Sequence, residues 1–170
     1  MLSLHAHFER LDEIAVAELF EAVGTYVLWD SQARSRPSYI GEGDLLRRLS
    51  DHSVKFAMPL NGYVAVLGDP SRKYFKTDSE LVEALLLEVS ERIGRYPLHN
   101  RQQGSTTAIE KTFQNNRVVK VYISGFDPFE PPWRPKRLRR KHAIRLSTAR
   151  GNILIDHPWH ESDEWKKRFA

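Results

Sequence analysis

Residues 24–52, "GTYVLWDSQARSRPSYIGEGDLLRRLSDH", decide how this chain is read. They hold two Tyr/Gly clusters, Gly24-Thr25-Tyr26 and Tyr39-Ile40-Gly41, separated by a polar, turn-prone segment. Tyr26-Val27-Leu28-Trp29 reads as a strand, Asp30 to Pro37 as a loop and Ser38-Tyr39-Ile40 as a second strand, so the pattern predicts an antiparallel hairpin. Gly41 and Gly43 mark the exit from that hairpin, and Asp44 supplies an N-cap for a helix running through His52. Drawn at 100° per residue, this helix buries Leu45, Leu46 and Leu49. Arg47 and Asp51 fall on the opposite side as a solvent-facing pair, while Arg48 and His52 flank the stripe one turn apart. Arg48 and His52 then point toward the sheet edge, where Tyr26 and Tyr39 can meet them. The same spacing also fits a purely structural reading, with Arg48 lying along the leucines and His52 capping the helix C-terminus.

Upstream, Leu11, Ile14, Ala15, Leu19, Phe20 and Val23 recur at helical spacing, which predicts an amphipathic helix over His7 to Val23. Downstream, Gly62 to Leu67 is a third strand. Thr77 followed by Glu80 is a capping-box pattern that opens the longest helix, Asp78 to about Arg95, closed by Pro97. Its core stripe is Leu81, Val82, Leu85, Val89 and Ile93. Glu88 lies on the shoulder of that stripe with Arg92 four residues on as a possible surface partner, and Glu83 sits well away from it. Beyond Asn100 the pattern weakens: Arg101 to Asn116 is loop or short helix, Val118 to Ile123 a strand, and Phe126 to Pro135 a Pro- and aromatic-rich connector. Ala143–Leu146 and Asn152–Ile155 form a terminal hairpin about Arg150-Gly151. Up to Asn100 the order is helix, strand, strand, helix, strand, helix, an α+β unit around a mixed three-stranded sheet.

Composition narrows the functional classes. A chain of 170 residues that is 41% hydrophobic builds one core, and it is too short for two enzymatic domains. It has no cysteine, which removes disulfides, thiolate zinc sites and cysteine nucleophiles and fits a reducing compartment. No apolar run approaches the roughly 18 residues of a membrane span, and the first nine residues lack a signal-peptide pattern, so the expectation is a soluble, cytoplasmic protein without a membrane partner. The net charge of +4 is unevenly spread. Arg134, Lys136, Arg137, Arg139, Arg140, Lys141, Arg145 and Arg150 occur without an acidic residue among them, a polyanion-binding pattern that is equally a solvated basic surface. The histidines show no metal-ligand spacing, Gly41-Glu42-Gly43 is too short for a phosphate-cradling loop, and no serine sits in a Gly-x-Ser-x-Gly elbow.

The surviving constellation resembles the GIY-YIG nuclease family. Its first tyrosine motif stands as Gly24-Thr25-Tyr26, with Thr in place of the usual aliphatic residue, and its second is intact as Tyr39-Ile40-Gly41. The family's helix arginine falls on Arg48 and a histidine found in some members falls on His52. "ALLLEVSERIGRYPLHN" is similar to the ending of the nuclease module of the bacterial excision-repair incision subunit, which assigns the metal-binding glutamate to Glu88 and the closing asparagine to Asn100. The match covers about residues 22–102. It leaves an N-terminal helix (1–22) before the catalytic domain (23–102), and after it a basic C-terminal extension (103–170) whose cations are expected to bind DNA. The resemblance implies a DNA endonuclease with Tyr26 as general base, His52 taking or relaying its proton and Arg48 clamping the phosphate. Tyr39 would contact phosphate or water, Asn100 would brace the site, and one Mg²⁺ or Mn²⁺ would sit on Glu88. Double-strand cleavage would call for a homodimer. Two alternatives keep other functions open: a nucleic-acid-binding or structure-sensing module on the same fold, and a partner-binding protein whose basic tail contacts RNA or an acidic protein.

Overall fold

Residues 2–9 alternate strictly between apolar and polar, and this alternation organises the whole sheet. In a computed structural model of the chain, which describes residues 1–30, 35–56, 60–68, 75–100, 109–110, 112 and 118–169, Leu2–Arg10 is strand β1. Ala6 and Phe8 are fully buried, whereas Ser3, His5, His7 and Glu9 are exposed, the two-residue period of a strand. The helix expected over His7 to Val23 is therefore corrected to this strand plus one turn, α1 (Val16–Leu19). Backbone pairing explains the outcome. β1 runs parallel to β5 (Val118–Gly125) from Leu2↔Val119 to Phe8↔Gly125 and antiparallel to β4 (Gly62–Gly68) at Glu9↔Val64, so it has hydrogen-bonded neighbours on both sides.

The predicted hairpin forms from β2 (Val23–Leu28) and β3 (Tyr39–Asp44), in register Tyr26↔Gly41 and Val27↔Ile40. Gly41 and Gly43 lie inside β3 rather than beyond it. Helix α2 (Leu45–Phe56) follows directly, and Asp44 Oδ1 accepts from the Arg47 amide at 3.2 Å, the expected cap. Arg47 and Asp51 are both exposed but form no ion pair with each other. Helix α3 (Phe75–Arg92) begins ahead of Thr77, so the Thr77/Glu80 pattern falls inside the helix instead of opening it.

The C-terminal hairpin is present as β6 (His142–Ala149) and β7 (Asn152–Asp156). Arg150 and Gly151, at φ 52° and 79°, give the two left-handed residues that a tight hairpin turn requires. A short helix, α4 (Asp163–Phe169), ends the described chain. The expected loop or short helix at 101–116 lies outside the described residues except for 109–110 and 112.

The expected three-stranded sheet is in fact one mixed sheet of seven strands, ordered β3-β2-β4-β1-β5-β6-β7. β5, β6 and β7 continue the sheet that carries the hairpin. On the inner face, α3 is buried on nearly every side: Leu81, Val82, Leu85, Leu86, Leu87 and Val89 pack with Val27 and Ile40 from one end of the sheet and with Val121, Ile144 and Leu146 from the other. Its last residue, Arg92, donates to the Ile155 carbonyl of β7 at 2.6 Å. On the outer face, Tyr26, Leu28 and Val64 pack with Leu45 and Leu49 of α2 and with Leu19. Among the described residues no helix is long and apolar enough to cross a membrane.

Because β1 is a central strand, Phe8→Ala should cost about 3–4 kcal/mol in denaturant-induced unfolding. A cost below about 1 kcal/mol would place residues 2–10 outside the core.

Candidate active site

Tyr26 is fully buried, and its ring lies across Gly41, its β3 partner. A Cβ at Gly41 would come within 2.6 Å of Tyr39 Cε1 and closer still to the Tyr26 hydroxyl. Only glycine lets the phenol pass over the edge strand, and this accounts for Tyr-Ile-Gly in physical terms. Beyond Gly41 the Tyr26 hydroxyl meets His52 Nε2 at 2.7 Å. His52 is 6% exposed, too enclosed for a solvent-facing helix cap. Its ring lies 4.5 Å from that of Tyr39 and 5.4 Å from that of Tyr26, and the two tyrosine rings stack at 6.1 Å. Arg48, one turn before His52 on α2, hydrogen-bonds and electrostatically favours the ionised form of both phenols. Four of the expected residues, Tyr26, Tyr39, Arg48 and His52, are therefore brought together.

Asn100 joins them as a brace. Its Oδ1 accepts from the Ile40 amide at 2.9 Å and its Nδ2 donates to the Ile40 carbonyl at 2.8 Å. A side-chain amide here pairs with edge strand β3 as a neighbouring strand would, fixing the backbone between Tyr39 and Gly41. Leu98 and His99 extend that pairing through their amides to Pro37 and Ser38.

Two carboxylates act electrostatically on this cluster, Glu83 of α3 and Glu42 of β3. Between Leu81 and Ser90 only Glu83 and Glu88 escape full burial. They are five residues apart, so they leave the helix about 140° from each other. Glu83 interacts electrostatically with Glu42 and Arg48, and its charge is felt by Tyr26 and Tyr39. Glu88 has its own helix neighbours Arg92 and Glu91 as charged surroundings. Glu42 is tied to α3 by the Ser79 hydroxyl at 2.7 Å, and the Thr25 hydroxyl donates to the Ser79 carbonyl at 3.2 Å. The helix N-terminal half is thereby pinned against the hairpin. No single-stripe reading of α3 could have found Glu83, because the helix has apolar contacts on nearly all sides.

The electrostatics of the cluster are unusual. Burial raises the Tyr26 hydroxyl well above the ordinary phenol value, and Arg48 offsets only part of this. Tyr39 shifts the same way, again chiefly through burial. Burial, helped by Glu42, pushes Glu83 up to about 7. Such a carboxylate is neutralised near neutral pH by a proton or by a cation brought close to it. Among the described residues no three His, Asp or Glu side chains are grouped to hold a metal by themselves. A divalent ion here would rely on Glu83, water and a bound phosphate, which is how Mg²⁺ is commonly held. The charged groups that act on Glu88 are Arg92 and Glu91 of its own helix.

The basic residues divide into two groups. Arg134, Lys136, Arg137, Arg139, Arg140 and Lys141 are exposed on the 126–141 connector. That connector is anchored at the C-terminal end of β2: Trp29 Nε1 donates to the Pro128 carbonyl at 3.1 Å, Tyr63 donates to the Glu130 carbonyl at 2.7 Å, and Arg95 donates to the Phe129 carbonyl. Trp133 sits edge-on to Trp29, with ring centres 6.0 Å apart, and Arg137 lies over the Phe126 ring. Arg145 and Arg150 instead belong to the β6–β7 hairpin. No family model, no curated protein and no solved structure matches the chain.

The Glu83 environment predicts a pH-dependent stability. The folded state holds this proton more tightly than the unfolded state, so stability falls as pH rises from about 4.5 to about 7. Glu83→Gln should match wild type at pH 4 and be more stable by about 1–3 kcal/mol at pH 8 in urea titrations. Equal stability at both pH values would show that Glu83 is solvated. Gly41→Ala should keep the fold while losing the Tyr26–His52 contact, seen as loss of protection of the His52 ring signals in NMR; retained protection would reject the crossing of Tyr26 over Gly41.

Proposed function

We propose that this chain is a metal-dependent endonuclease that hydrolyses DNA phosphodiester bonds. The observation that carries the reading is the 2.7 Å contact between the Tyr26 hydroxyl and His52 Nε2 in a site shared with Arg48, Tyr39 and Glu83. A buried tyrosine paired to a histidine beside an arginine is poorly explained by stability alone, since it encloses several polar groups that water would solvate better. It suits a reaction in which water must lose a proton next to a phosphate.

In this reading Tyr26 takes the proton of the attacking water as its own hydroxyl proton passes to His52. Arg48 offers its guanidinium fork to the nonbridging oxygens, where charge develops. Tyr39 orients water or phosphate, and Asn100 keeps the Tyr39–Gly41 backbone in place. Glu83, rather than Glu88, would hold Mg²⁺ or Mn²⁺, which when bound stabilises charge on the phosphate and the leaving oxygen. The basic connector beside β2 would contribute phosphate contacts. Each chain carries one such cluster, so cutting both strands at a symmetric site would take two copies.

Plasmid nicking with Mg²⁺ or Mn²⁺ tests the reading. Wild type should convert supercoiled to open-circular DNA, whereas Tyr26→Phe, Arg48→Ala and Glu83→Gln should each lower the rate at least about 100-fold. Glu88→Gln should stay within about threefold of wild type. Failure of wild type to cut supercoiled, linear or branched DNA would reject the nuclease, and equal losses in the two glutamate variants would reject the assignment to Glu83.

A further inference from the structure

Helix α2 covers the outer face of the sheet only at the β3-β2-β4 end. Toward β7 no described element covers that face, and His5, His7, Arg145 and Leu154 are exposed on it. The register carries it across continuously: Tyr26 pairs with Val64, Val64 with Glu9, and His7 and His5 follow Glu9 at two-residue intervals on β1. His5 in turn pairs with Tyr122, which alternates with Lys120 on β5, and Lys120 pairs with Arg145 on β6. Their neighbours Val119, Val121, Ile144 and Leu146 are buried against α3, so Lys120, Tyr122 and Arg145 share the face of Tyr26.

Two features of this face need an explanation that folding does not supply. Lys120 and Arg145 stand directly opposite each other, an arrangement that destabilises a sheet. Neither has an ion-pair partner among the described residues, and Asp156, across from Arg145 on β7, forms none with it. Beside them the His5 ring stacks on Tyr122 at 5.0 Å and 18°, and His7 Nδ1 lies 2.9 Å from Ser124 Oγ. The exposed side chains next to the cations are therefore already ordered, which lowers the entropy lost when a ligand binds.

We propose that this open face, centred on Lys120 and Arg145, binds the backbone phosphates of duplex DNA. The choice of DNA as the polyanion rests on the nuclease reading; the cationic face does not. Lys120 is three strand spacings from Tyr26 across the sheet and Arg145 four, about 14 and 19 Å, and the register sets both about six residues, roughly 20 Å, further along the strands. Duplex DNA carries one negative charge per roughly 1.7 Å of axis, so a single duplex supplies phosphates to both the cations and the Tyr26 cluster. Exposed Arg139, Arg140 and Lys141, on the segment entering β6, extend the same positive field.

The test is fluorescence anisotropy of the full chain with a labelled duplex of about 30 base pairs in EDTA, across a salt series. Lys120→Gln/Arg145→Gln should weaken binding at least about fivefold and reduce the slope of log K against log salt by about 2, with Tm unchanged or raised as the opposed charges disappear. Affinity and slope equal to wild type would overturn the proposal, as would a wild-type chain that does not bind duplex DNA. Plasmid nicking separates the two readings. If wild type binds through these residues but never cuts, the nuclease falls and the surface stands; if it cuts and the double variant binds as well as wild type, the surface falls alone.

Discussion

The position of β1 between β4 and β5 is the constraint on which the rest depends. Without it the sheet separates into β3-β2-β4 and β5-β6-β7, and no other pairing among the described residues joins them. The joint is also what encloses α3, because the inner residues Ala6 and Phe8 complete the wall between Tyr63 and Ala65 on one side and Val121 and Ile123 on the other. A segment that sequence spacing presents as a peripheral helix is thus the strand that makes one body of two halves. It follows that residues beyond 118 cannot be removed as an appendage, since Ile144 and Leu146 are part of the same core.

This joint has a functional consequence. The sheet has two faces with different tasks: the inner one is filled by α3, while the outer one carries Tyr26 near the β3 edge and exposed cations toward β7. Glu83 reaches the cluster from the inner side because β3 is the last strand, and the helix above it can approach around the edge. Edge strands expose unpaired backbone, and here Asn100 takes up the free groups of Ile40. The edge strand that carries Tyr39 is thereby kept rigid where the tyrosines need it.

Local features of this arrangement were legible in the sequence. The hairpin, the Asp44 cap, the one-turn spacing of Arg48 and His52 and the C-terminal hairpin all follow from short-range rules, and the structure shows each of them. What was not legible depends on distant packing. β1 did carry a signal, the alternation of Leu2, Leu4, Ala6 and Phe8 with Ser3, His5, His7 and Glu9, but the helical spacing that starts at Leu11 obscured it. For α3 the rule itself fails: a helix buried on several sides has no single stripe, so distance from a stripe says nothing about whether Glu83 or Glu88 faces the hairpin. Its apolar run Leu85-Leu86-Leu87 was the sign that a one-sided model was wrong.

On the proposed nuclease reading, the protonation state of Tyr26 determines what kind of base the site would be. Burial is the dominant influence on its hydroxyl and disfavours the phenolate, and Arg48 does not reverse it. A tyrosine that first ionised and then attacked a water proton would pay for an anion the site does not stabilise. With His52 Nε2 at 2.7 Å, the hydroxyl can instead give up one proton while gaining another, and no free phenolate forms. The positive charge then moves to the imidazole, near Arg48, where it would be repelled were it not for the carboxylates of Glu42 and Glu83 that also face Arg48. The enclosure that makes Tyr26 a poor base alone strengthens each of these interactions, because burial lowers the screening around them. The tyrosine, the histidine and the two glutamates are therefore best regarded as one proton-handling unit, with Gly41 providing the gap through which the first reaches the second.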